Sequence, residues 1–334
     1  MSEAERHPEL RVGSVWVAVI LLGVALAAGW GLGKLLSRRG DHGVAPIVLS
    51  RLAMGTLMEI QVRPRDDSAT ASARANVAMQ MAFAEIARID TLFSTHLPPR
   101  ADGEAEKALL LREGLEVMRL TGGAFDPRMK PLMDLWGFER SEPRRPAADE
   151  LRREAARLDL APACAESLLT EPGRLHYGAW AAGYAVDRAV AILREQGVTA
   201  ALVNGGGEIR CLGADWRVGV QHPRVRGGLL ARLAPDTVAV ATSGDYEQYF
   251  EQDGIRYHHL LNPRTGEPAR GCQSVTILAP TCMRADALAT GVFVLGPERG
   301  LDLVEQLPDV ECLIVDDTGA LHRSSGLDAY LLPD

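Results

Sequence analysis

The sequence is poor in aromatic residues and has no excess of positive charge. Phe, Trp and Tyr make up 5% of its 334 residues, and 36 Lys and Arg are outnumbered by 44 Asp and Glu, which gives a net charge of −8. Binding to phosphate backbones depends on clustered Lys and Arg, and binding to single strands also needs aromatic rings that stack on bases. The composition therefore argues against a nucleic-acid partner and leaves small-molecule chemistry open.

Cysteine is also scarce. The five cysteines are an odd number and include no Cys-x-x-Cys pair, which argues against a zinc site and against a complete disulfide framework. None of them follows the apolar run near the N-terminus, so a lipidated cysteine is not expected there. The 47% hydrophobic and 24% charged residues are ordinary for a globular protein, and the length is sufficient for a sizeable core.

A long uncharged run occupies residues 12–33. Its 22 residues are enough, at ~1.5 Å each, to cross a hydrocarbon core of about 30 Å. We therefore expect one transmembrane helix at 12–33, preceded by a tail at 1–11 and followed by a tether at 34–45. The alternative is a cleaved signal peptide, for which Ala25-Leu26-Ala27 offers the small residues of a cleavage site.

The rest of the chain alternates strands and helices without a strict βαβ order, which favours the α+β class. Two strands at 46–53 and 57–63 predict a hairpin that turns at Met54-Gly55-Thr56. Apolar spacing predicts further helices over 68–92, 104–120, 179–196 and 284–295, and another from 297. One strand is expected to end near Tyr177, and two others to cover 200–203 and 311–315. Short strands are expected to dominate from 204 to 278.

Asp286 and Thr290 are the clearest candidates for metal binding. They lie four residues apart on a predicted helix, so their side chains share one face. Carboxylate and hydroxyl oxygens suit a hard cation such as Mg²⁺. The alternative is that Asp286 caps the helix or complements its dipole.

Two glycine-rich turns and a histidine pair are weaker signals. Asn204-Gly205-Gly206-Gly207 follows a strand, where main-chain N–H groups can approach a phosphate, yet it matches neither common phosphate-binding spacing. A plain tight turn is the alternative. The stretch 122–127 reads by itself as a helix stop followed by a turn. His258-His259 suits proton transfer or metal binding, with a hydrogen-bonded structural role as the alternative.

The order of the motifs is more specific than any one of them. They are Met54-Gly55-Thr56, Thr121–Pro127 with Leu135–Phe138, Gly178-Ala179 with Gly183–Asp187, Val203–Gly207, Thr242–Tyr246, His259 with Asn262–Gly266, and Ala285–Thr290. In this order they resemble the ApbE family of FAD:protein FMN transferases, over about residues 46–330. The resemblance implies a two-lobed α+β domain at 46–334, with mixed or antiparallel sheets flanked by helices.

Such a resemblance implies Mg²⁺-dependent transfer of FMN from FAD to a Thr or Ser hydroxyl of an acceptor flavoprotein, with release of AMP. The family's FAD contacts fall on Met54, Ala124, Phe125, Asp126 and Leu260. Its metal ligands fall on the Ala179 carbonyl, the Asp286 carboxylate and the Thr290 hydroxyl. We further expect the flavin nucleotide to be contacted by Gly205, Gly206, Ser243 and Tyr246, and the hydroxyl proton to be taken by His259.

Some positions depart from the family pattern. His176 stands where the family usually has Asp, and Ala182 where it usually has Lys, and both positions normally help to hold FAD. The stretch between Phe93-Ser94-Thr95-His96 and Glu104 is also short. Two alternatives therefore stay open: a Mg²⁺-dependent FAD hydrolase that yields FMN and AMP, or a catalytically reduced relative that binds flavin or a partner protein at the membrane.

The orientation of the apolar run is ambiguous. Basic residues flank it on both sides, and a simple count by the positive-inside rule places the body of the protein in the cytoplasm. The family instead works outside the cytoplasmic membrane on flavin subunits of membrane redox complexes. We therefore expect a single-pass protein of the cytoplasmic (inner) membrane with a periplasmic catalytic domain.

Overall fold

An antiparallel sheet of eight strands is the centre of the computed structural model, which describes residues 44–93, 103–138, 143–160, 168, 172–213 and 215–333. The strands of the described residues are β1 Ile47–Ala53, β2 Thr56–Val62, β3 Ala201–Asn204, β4 Ile209–Leu212, β5 Val218–Gln221, β6 Leu229–Leu233, β7 Ala239–Gly244, β8 Tyr249–Gln252, β9 Ile255–His258, β10 Cys272–Ala279, β11 Glu311–Asp316 and β12 Leu321–Arg323. The large sheet has the order β1-β2-β3-β4-β7-β10-β11-β12, and β5-β6 and β8-β9 form separate hairpins.

Helices pack on one face of this sheet and against the β8-β9 hairpin. Those of the described residues are α1 Ala69–Phe93, α2 Glu104–Leu120, α3 Lys130–Trp136, α4 Ala148–Leu160, α5 Ala181–Glu195, α6 Cys282–Leu295 and α7 Pro297–Val304. Helix α6 packs on β7 and β10 and also against α5 and α2, while α1 packs against α5. These contacts place the N-terminal half of α6 beside the start of α5.

Strand β10 is buried along its whole length and separates two apolar clusters. Val275 and Ile277 face the helices, whereas Leu278 faces the cluster under the β5-β6 hairpin with Trp216 and Val220. The alternation follows from the two-residue period of a strand. A central strand that is apolar on both faces needs cover on both sides, which the helices and the small hairpin supply.

The β1-β2 hairpin confirms the turn predicted at Met54-Gly55. Ala53 pairs with Thr56, so the turn has two residues, and both have positive φ, 54° at Met54 and 74° at Gly55. That combination is a type I′ turn, which matches the twist of the flanking strands. Met54 is unusual at a positive φ, and its N–H donates to the Asp90 carboxylate at 3.0 Å.

Residues 44–334 form one compact unit, and the description of this unit as two-lobed stays a prediction. One expectation from the sequence is wrong. No strand ends near Tyr177: short 3-10 turns occupy Pro172–Arg174 and Tyr177–Ala179, because the N–H of His176 bonds to the carbonyl of Pro127 in a loop instead of to a strand. Helices α3 and α4 were not predicted. All strand pairs among the described residues are antiparallel.

The predicted transmembrane helix at 12–33, its tail and most of its tether lie outside the described residues, as does the short loop after Phe93. Within the part of the chain that is described, no helix is both long enough and apolar enough to span a membrane. The prediction of an anchor therefore stays a prediction.

Candidate active site

The site is organised by a close approach between α5 and α6. A Cβ at Gly183 would lie 2.6 Å from the carbonyl oxygen of Cys282, so only glycine allows this spacing. Asp187, one turn further along α5, accepts hydrogen bonds of 3.0 Å from the N–H groups of Cys282 and Met283. These are unpaired donors at the start of α6, so Asp187 caps that helix from a neighbouring one.

Asp286 makes the reverse contact, because its carboxylate accepts a hydrogen bond from the N–H of Gly183 at the start of α5. The side chain is 8% exposed, and its Oδ2 has no hydrogen-bond partner among the described residues. Burial raises the pKa of Asp286 well above its usual range. A buried carboxylate oxygen without a partner is costly, and a bound cation removes that cost.

The other predicted metal ligands are Thr290, on α6, and Ala179, just before α5. Thr290 follows Asp286 by one turn of α6, and its Oγ1 lies 3.3 Å from the Oγ of Ser243 at the end of β7. Ala179 closes the 3-10 turn directly before α5, four residues ahead of Gly183. The donor set is therefore a carboxylate, a hydroxyl and a carbonyl, all hard oxygens, which fits Mg²⁺.

Two carboxylates that the motifs did not single out accompany Asp286. The negative charges of Glu208 and Glu247 both act on Asp286, after burial, to raise its pKa. Burial raises the pKa of Glu208 to about 7. The surrounding protein and the charge of Glu208 raise the pKa of Glu247, although its side chain reaches solvent.

The glycine turn before Glu208 packs against the β1-β2 hairpin. A Cβ at Gly206, whose φ is 106°, would lie 2.4 Å from the Thr56 hydroxyl. The N–H of Gly205 donates to the carbonyl of Glu208 at 2.7 Å, and that of Gly206 to the side chain of Asn204 at 2.9 Å. Both amides therefore have partners inside the turn, and the contact of Gly205 and Gly206 with the flavin nucleotide stays a prediction. The glycine at position 206 allows the close approach to Thr56.

The 121–128 loop presents its main chain rather than its side chains. Phe125 is 1% exposed and packs edge-on against Trp180, while its N–H donates to the Thr121 hydroxyl at 3.0 Å. Both carboxylate oxygens of Asp126 are bound by the guanidinium of Arg128, at 2.8 and 2.6 Å. Any contact of Phe125 or Asp126 with a ligand is thus expected through the backbone, as for Ala124 beside them.

The histidine pair divides into a buried and a half-buried member. His258 is 2% exposed, lies edge-on against Phe293, and has Nε2 2.9 Å from the carbonyl of Ala269, so its role is structural. The Nδ1 of His259 lies 3.3 Å from the carbonyl of Gln248. Because a carbonyl only accepts, this contact requires the proton on Nδ1 and leaves the Nε2 lone pair free.

Burial lowers the pKa of His259 to about 4, and the neighbouring His258 and His176 act in the same direction. The imidazole of His259 is therefore neutral at pH 7, the form that accepts a proton. His176 lies near three predicted binding segments, namely the 121–128 loop, the turn at Gly178-Ala179 and His259. Its N–H donates to the carbonyl of Pro127 at 2.9 Å, and its ring lies over Gly178, where a Cβ would be 3.0 Å from Cε1.

The remaining predicted contacts lie at the edges of this arrangement. Tyr246 folds over Gly244, where a Cβ would be 2.4 Å from its Cε1, and burial raises the pKa of its phenol. Leu260 is 4% exposed, and its carbonyl accepts from the N–H of Ala269. Roles for both in flavin binding stay predictions.

Comparisons with known proteins match this arrangement to a family. Residues 54–314 match the ApbE family. The chain belongs to the ApbE family. It is 35% identical over 237 residues to the FAD:protein FMN transferase of Vibrio cholerae, covering 66% of this chain and 71% of the relative. It is 34% identical over 248 residues to that of Treponema pallidum, covering 65% and 67%.

Solved ApbE structures share the fold. The ApbE protein of Thermotoga maritima superposes with a TM-score of 0.74 at 30% identity and covers 86% of this chain and 100% of its own. The flavin transferase ApbE of Vibrio cholerae superposes with a TM-score of 0.68 at 28% identity, with the same coverage. The α+β fold with an antiparallel sheet is therefore that of the family.

Within this ApbE fold, Glu208 and Glu247 are the residues that the motif analysis missed. Both directly follow segments that were singled out, the turn 204–207 and the stretch 242–246. A signal was therefore present, namely a carboxylate at the end of each motif. Nothing local indicated that the two ends meet near α6.

Proposed function

We propose that the chain transfers FMN from FAD to a Ser or Thr hydroxyl of an acceptor flavoprotein, in a Mg²⁺-dependent reaction that releases AMP. The relatives are enzymes named FAD:protein FMN transferase, and the chain is a flavin transferase of this family. The observation that carries the finer proposal is the buried, unpartnered Oδ2 of Asp286, one helical turn before Thr290 on α6.

Asp286, Thr290 and the Ala179 carbonyl would hold Mg²⁺. When bound, the ion supplies the positive charge that a diphosphate needs as its bridging bond breaks. Gly183 fixes one oxygen of Asp286, so the other is directed to the ligand. Ser243 lies 3.3 Å from Thr290 and holds that hydroxyl in place.

His259 takes the proton of the attacking hydroxyl. Its Nδ1 is oriented by the carbonyl of Gln248, so Nε2 accepts. The acceptor oxygen forms a bond to the phosphorus of the FMN half, the bond from that phosphorus to the bridging oxygen breaks, and AMP leaves with the bridging oxygen. A general base of this kind contributes on the order of 10²–10⁴-fold to the rate.

The test incubates the purified chain with FAD, Mg²⁺ and a candidate acceptor domain, with a Ser/Thr-to-Ala version of that domain as the control. Flavin fluorescence that stays on the acceptor in a denaturing gel, together with an equal amount of AMP, supports transfer. Free FMN and AMP without labelled acceptor identify a hydrolase. FAD binding without either product identifies a flavin-binding relative and overturns the proposal.

We also propose that the catalytic unit is anchored in the cytoplasmic membrane and faces the periplasm, where it modifies a flavin subunit of a membrane redox complex. The uncharged run at 12–33 supports the anchor. Fusions of the C-terminus to one reporter active only in the cytoplasm and one active only outside it test the orientation. Activity of the cytoplasmic reporter alone contradicts the periplasmic placement.

A further inference from the structure

A small cavity lies beside the candidate active site. It is lined by the loop 121–124, by the end of α6, and by Arg264 and Arg299. Its volume is about 60 Å³, which is room for a few water molecules or for one carboxylate group. Both arginines are exposed, so a ligand reaches the cavity directly from solvent.

The cavity has an excess of positive charge. Its lining includes two arginines and no Asp or Glu, and neither Arg264 nor Arg299 forms an ion pair within the described part of the chain. The end of α6 contributes roughly half a negative charge from its dipole, which two guanidinium groups exceed. The cavity therefore attracts an anion.

The turn that carries Arg264 is held in place by backbone hydrogen bonds. The N–H of Gly266 donates to the carbonyl of Asn262 at 2.8 Å, and the carbonyl of Gly266 accepts from the indole N–H of Trp136 at 2.7 Å. One Nη of Arg264 donates to the carbonyl of Gly122 at 3.1 Å. This bond fixes the guanidinium at the cavity and leaves its remaining N–H groups for a ligand.

Arg299 reaches the cavity from a different element, the first turn of α7. The N–H of Gly300 bonds to the carbonyl of Gly296 at 2.9 Å, so this turn is fully formed. A Cβ at Gly300 would lie 2.7 Å from the side chain of Val292, and the glycine thus lets α7 approach α6 closely. Two separate, ordered elements therefore supply one guanidinium each.

The cavity adjoins the predicted positions of FAD and the metal. A Cβ at Gly291 would lie 2.6 Å from the side chain of Thr121 and 3.2 Å from that of Phe125, so α6 touches the 121–128 loop at this point. Thr290 directly precedes Gly291, and Val294 at the cavity follows Thr290 by one turn, or ~6 Å along the axis. A ligand in the cavity is therefore a neighbour of the reacting groups.

Of the two substrates in the proposed function, the acceptor protein accounts for an anion here. The negative charge of FAD lies on its diphosphate, which the proposed function already places at the cation held by Asp286 and Thr290. An anion in a separate cavity comes from the other substrate, whose anionic side chains are Asp and Glu. A guanidinium binds a carboxylate through two parallel N–H···O bonds, which gives geometric specificity as well as affinity.

We propose that Arg264 and Arg299 bind an Asp or Glu side chain of the acceptor protein near its modified hydroxyl, and that an acidic residue is thereby part of the signal by which acceptors are selected. This inference rests on the proposed function, which supplies the acceptor protein as a substrate. It assigns the two arginines to substrate selection and not to the chemical step.

The first experiment measures transfer by the full chain at saturating FAD and Mg²⁺ while the concentration of a candidate acceptor domain is varied. In the double variant Arg264→Gln and Arg299→Gln, KM for the acceptor is expected to rise at least about tenfold, or about 1.4 kcal/mol, while kcat stays within about twofold. Arg152→Gln, exposed on α4, is the matched control. An unchanged KM in the double variant overturns the proposal.

The second experiment changes the acceptor domain, by replacing each Asp or Glu near its modified hydroxyl with the corresponding amide. One replacement is expected to raise KM about tenfold with the unmodified chain and to have no further effect with the double variant, because the effects of contacting residues are not additive. If the effects of every replacement and of the double variant simply multiply, the carboxylate is not bound by these arginines.

FAD binding, measured by quenching of flavin fluorescence, tests the assignment of the anion to the acceptor. Arg299→Gln breaks no hydrogen bond within the described part of the chain and is expected to leave FAD affinity unchanged. Weaker FAD binding in this variant would place the diphosphate in the cavity and overturn the proposal. The same single variant should raise KM for the acceptor about threefold, and no change counts against the proposal even if the double variant is perturbed at Gly122.

Calorimetric binding of the acceptor domain to the chain, without FAD, separates this inference from the proposed function. If the double variant binds the domain at least about tenfold more weakly but the unmodified chain transfers no flavin, only the proposed function is overturned. If flavin is transferred with the same KM by the unmodified chain and the double variant, only the inference is overturned.

Discussion

The main-chain N–H of Gly183 donates a hydrogen bond to the carboxylate of Asp286. In return, Asp187 from the helix of Gly183 accepts from the first two N–H groups of the helix of Asp286. Each helix thus uses a carboxylate of its neighbour to satisfy donors at its own start. The arrangement fixes the orientation of Asp286 through the main chain of Gly183.

Gly183→Ala is expected to destabilise the protein. The added Cβ would lie 2.6 Å from the carbonyl oxygen of Cys282, and forced overpacking of this kind costs about 1–3 kcal/mol, more than the ~1 kcal/mol that alanine gains in a helix. Urea unfolding measures the change. Gly173→Ala is the control, since nothing lies within 4 Å of a Cβ there, and an equal loss in both variants would contradict the explanation.

Asp286→Asn is expected to abolish metal binding with little effect on folding. The amide oxygen still accepts from Gly183, but the negative charge is lost, so Mn²⁺ affinity and flavin transfer should each fall at least about 100-fold. Calorimetric titration with Mn²⁺ and the gel assay for transfer measure the two effects. Retained Mn²⁺ affinity would place the ion away from Asp286.

His259→Asn is expected to slow transfer by about 10²–10⁴-fold while FAD binding persists. The pH profile gives a sharper test. Because the pKa of His259 is lowered to about 4, kcat/KM measured at saturating Mg²⁺, which keeps the Asp286 carboxylate ionised, should stay constant down to about pH 5 and decline only below it. The diphosphate of bound FAD favours the protonated imidazole, so the corresponding limb of kcat should lie at higher pH. If kcat and kcat/KM declined at the same pH, the result would argue against His259 as the base.

Acid sensitivity of the fold is expected to depend on His258. Burial lowers the pKa of His258 to about 4 in the folded protein, whereas an unfolded histidine has a pKa of about 6.5. Between these values protons bind preferentially to the unfolded chain, so the free energy of unfolding should fall by up to about 3 kcal/mol as the pH drops from 6.5 to 4. Above pH 6.5 the group costs nothing.

Urea unfolding at pH 7 and at pH 4.5 measures this dependence. His258→Gln keeps a donor for the carbonyl of Ala269 but has no titrating group, so its two curves should lie closer together than those of the unmodified chain. His259 titrates in both proteins, and because its pKa is lowered mainly by burial, most of its contribution cancels in the comparison. If the two unfolding curves of His258→Gln were as far apart as those of the unmodified chain, the acid sensitivity would come from other groups.

Ala182→Lys is expected to strengthen FAD binding in the absence of metal. Position 182 lies in the first turn of α5, next to Gly183, whose N–H binds the Asp286 carboxylate, so an ammonium group there is expected within reach of a diphosphate held at Asp286. A charge-assisted contact with a phosphate is worth about 1.5–3 kcal/mol, or about tenfold or more in affinity. Flavin fluorescence in EDTA measures it, and unchanged affinity would show that position 182 does not face the nucleotide.

The sequence by itself determined the features that depend on local periodicity and turn chemistry. The spacing of Asp286 and Thr290 placed both oxygens on one face of a helix, and Met54-Gly55 marked the hairpin turn, because these patterns involve residues only a few positions apart. The order of the motifs identified the family resemblance, since it compares the chain with known sequences and does not require contacts to be known.

Only the tertiary structure decided which of these segments meet. Glu208 and Glu247 raise the pKa of Asp286 because β4 pairs with β7 and α6 packs on β7, contacts between residues far apart in the chain that no local pattern encodes. The same holds for the 3-10 turn at Tyr177–Ala179, where an apparent strand has no partner to pair with. The helix and its face follow from local spacing, whereas the charge that surrounds Asp286 is set by long-range packing.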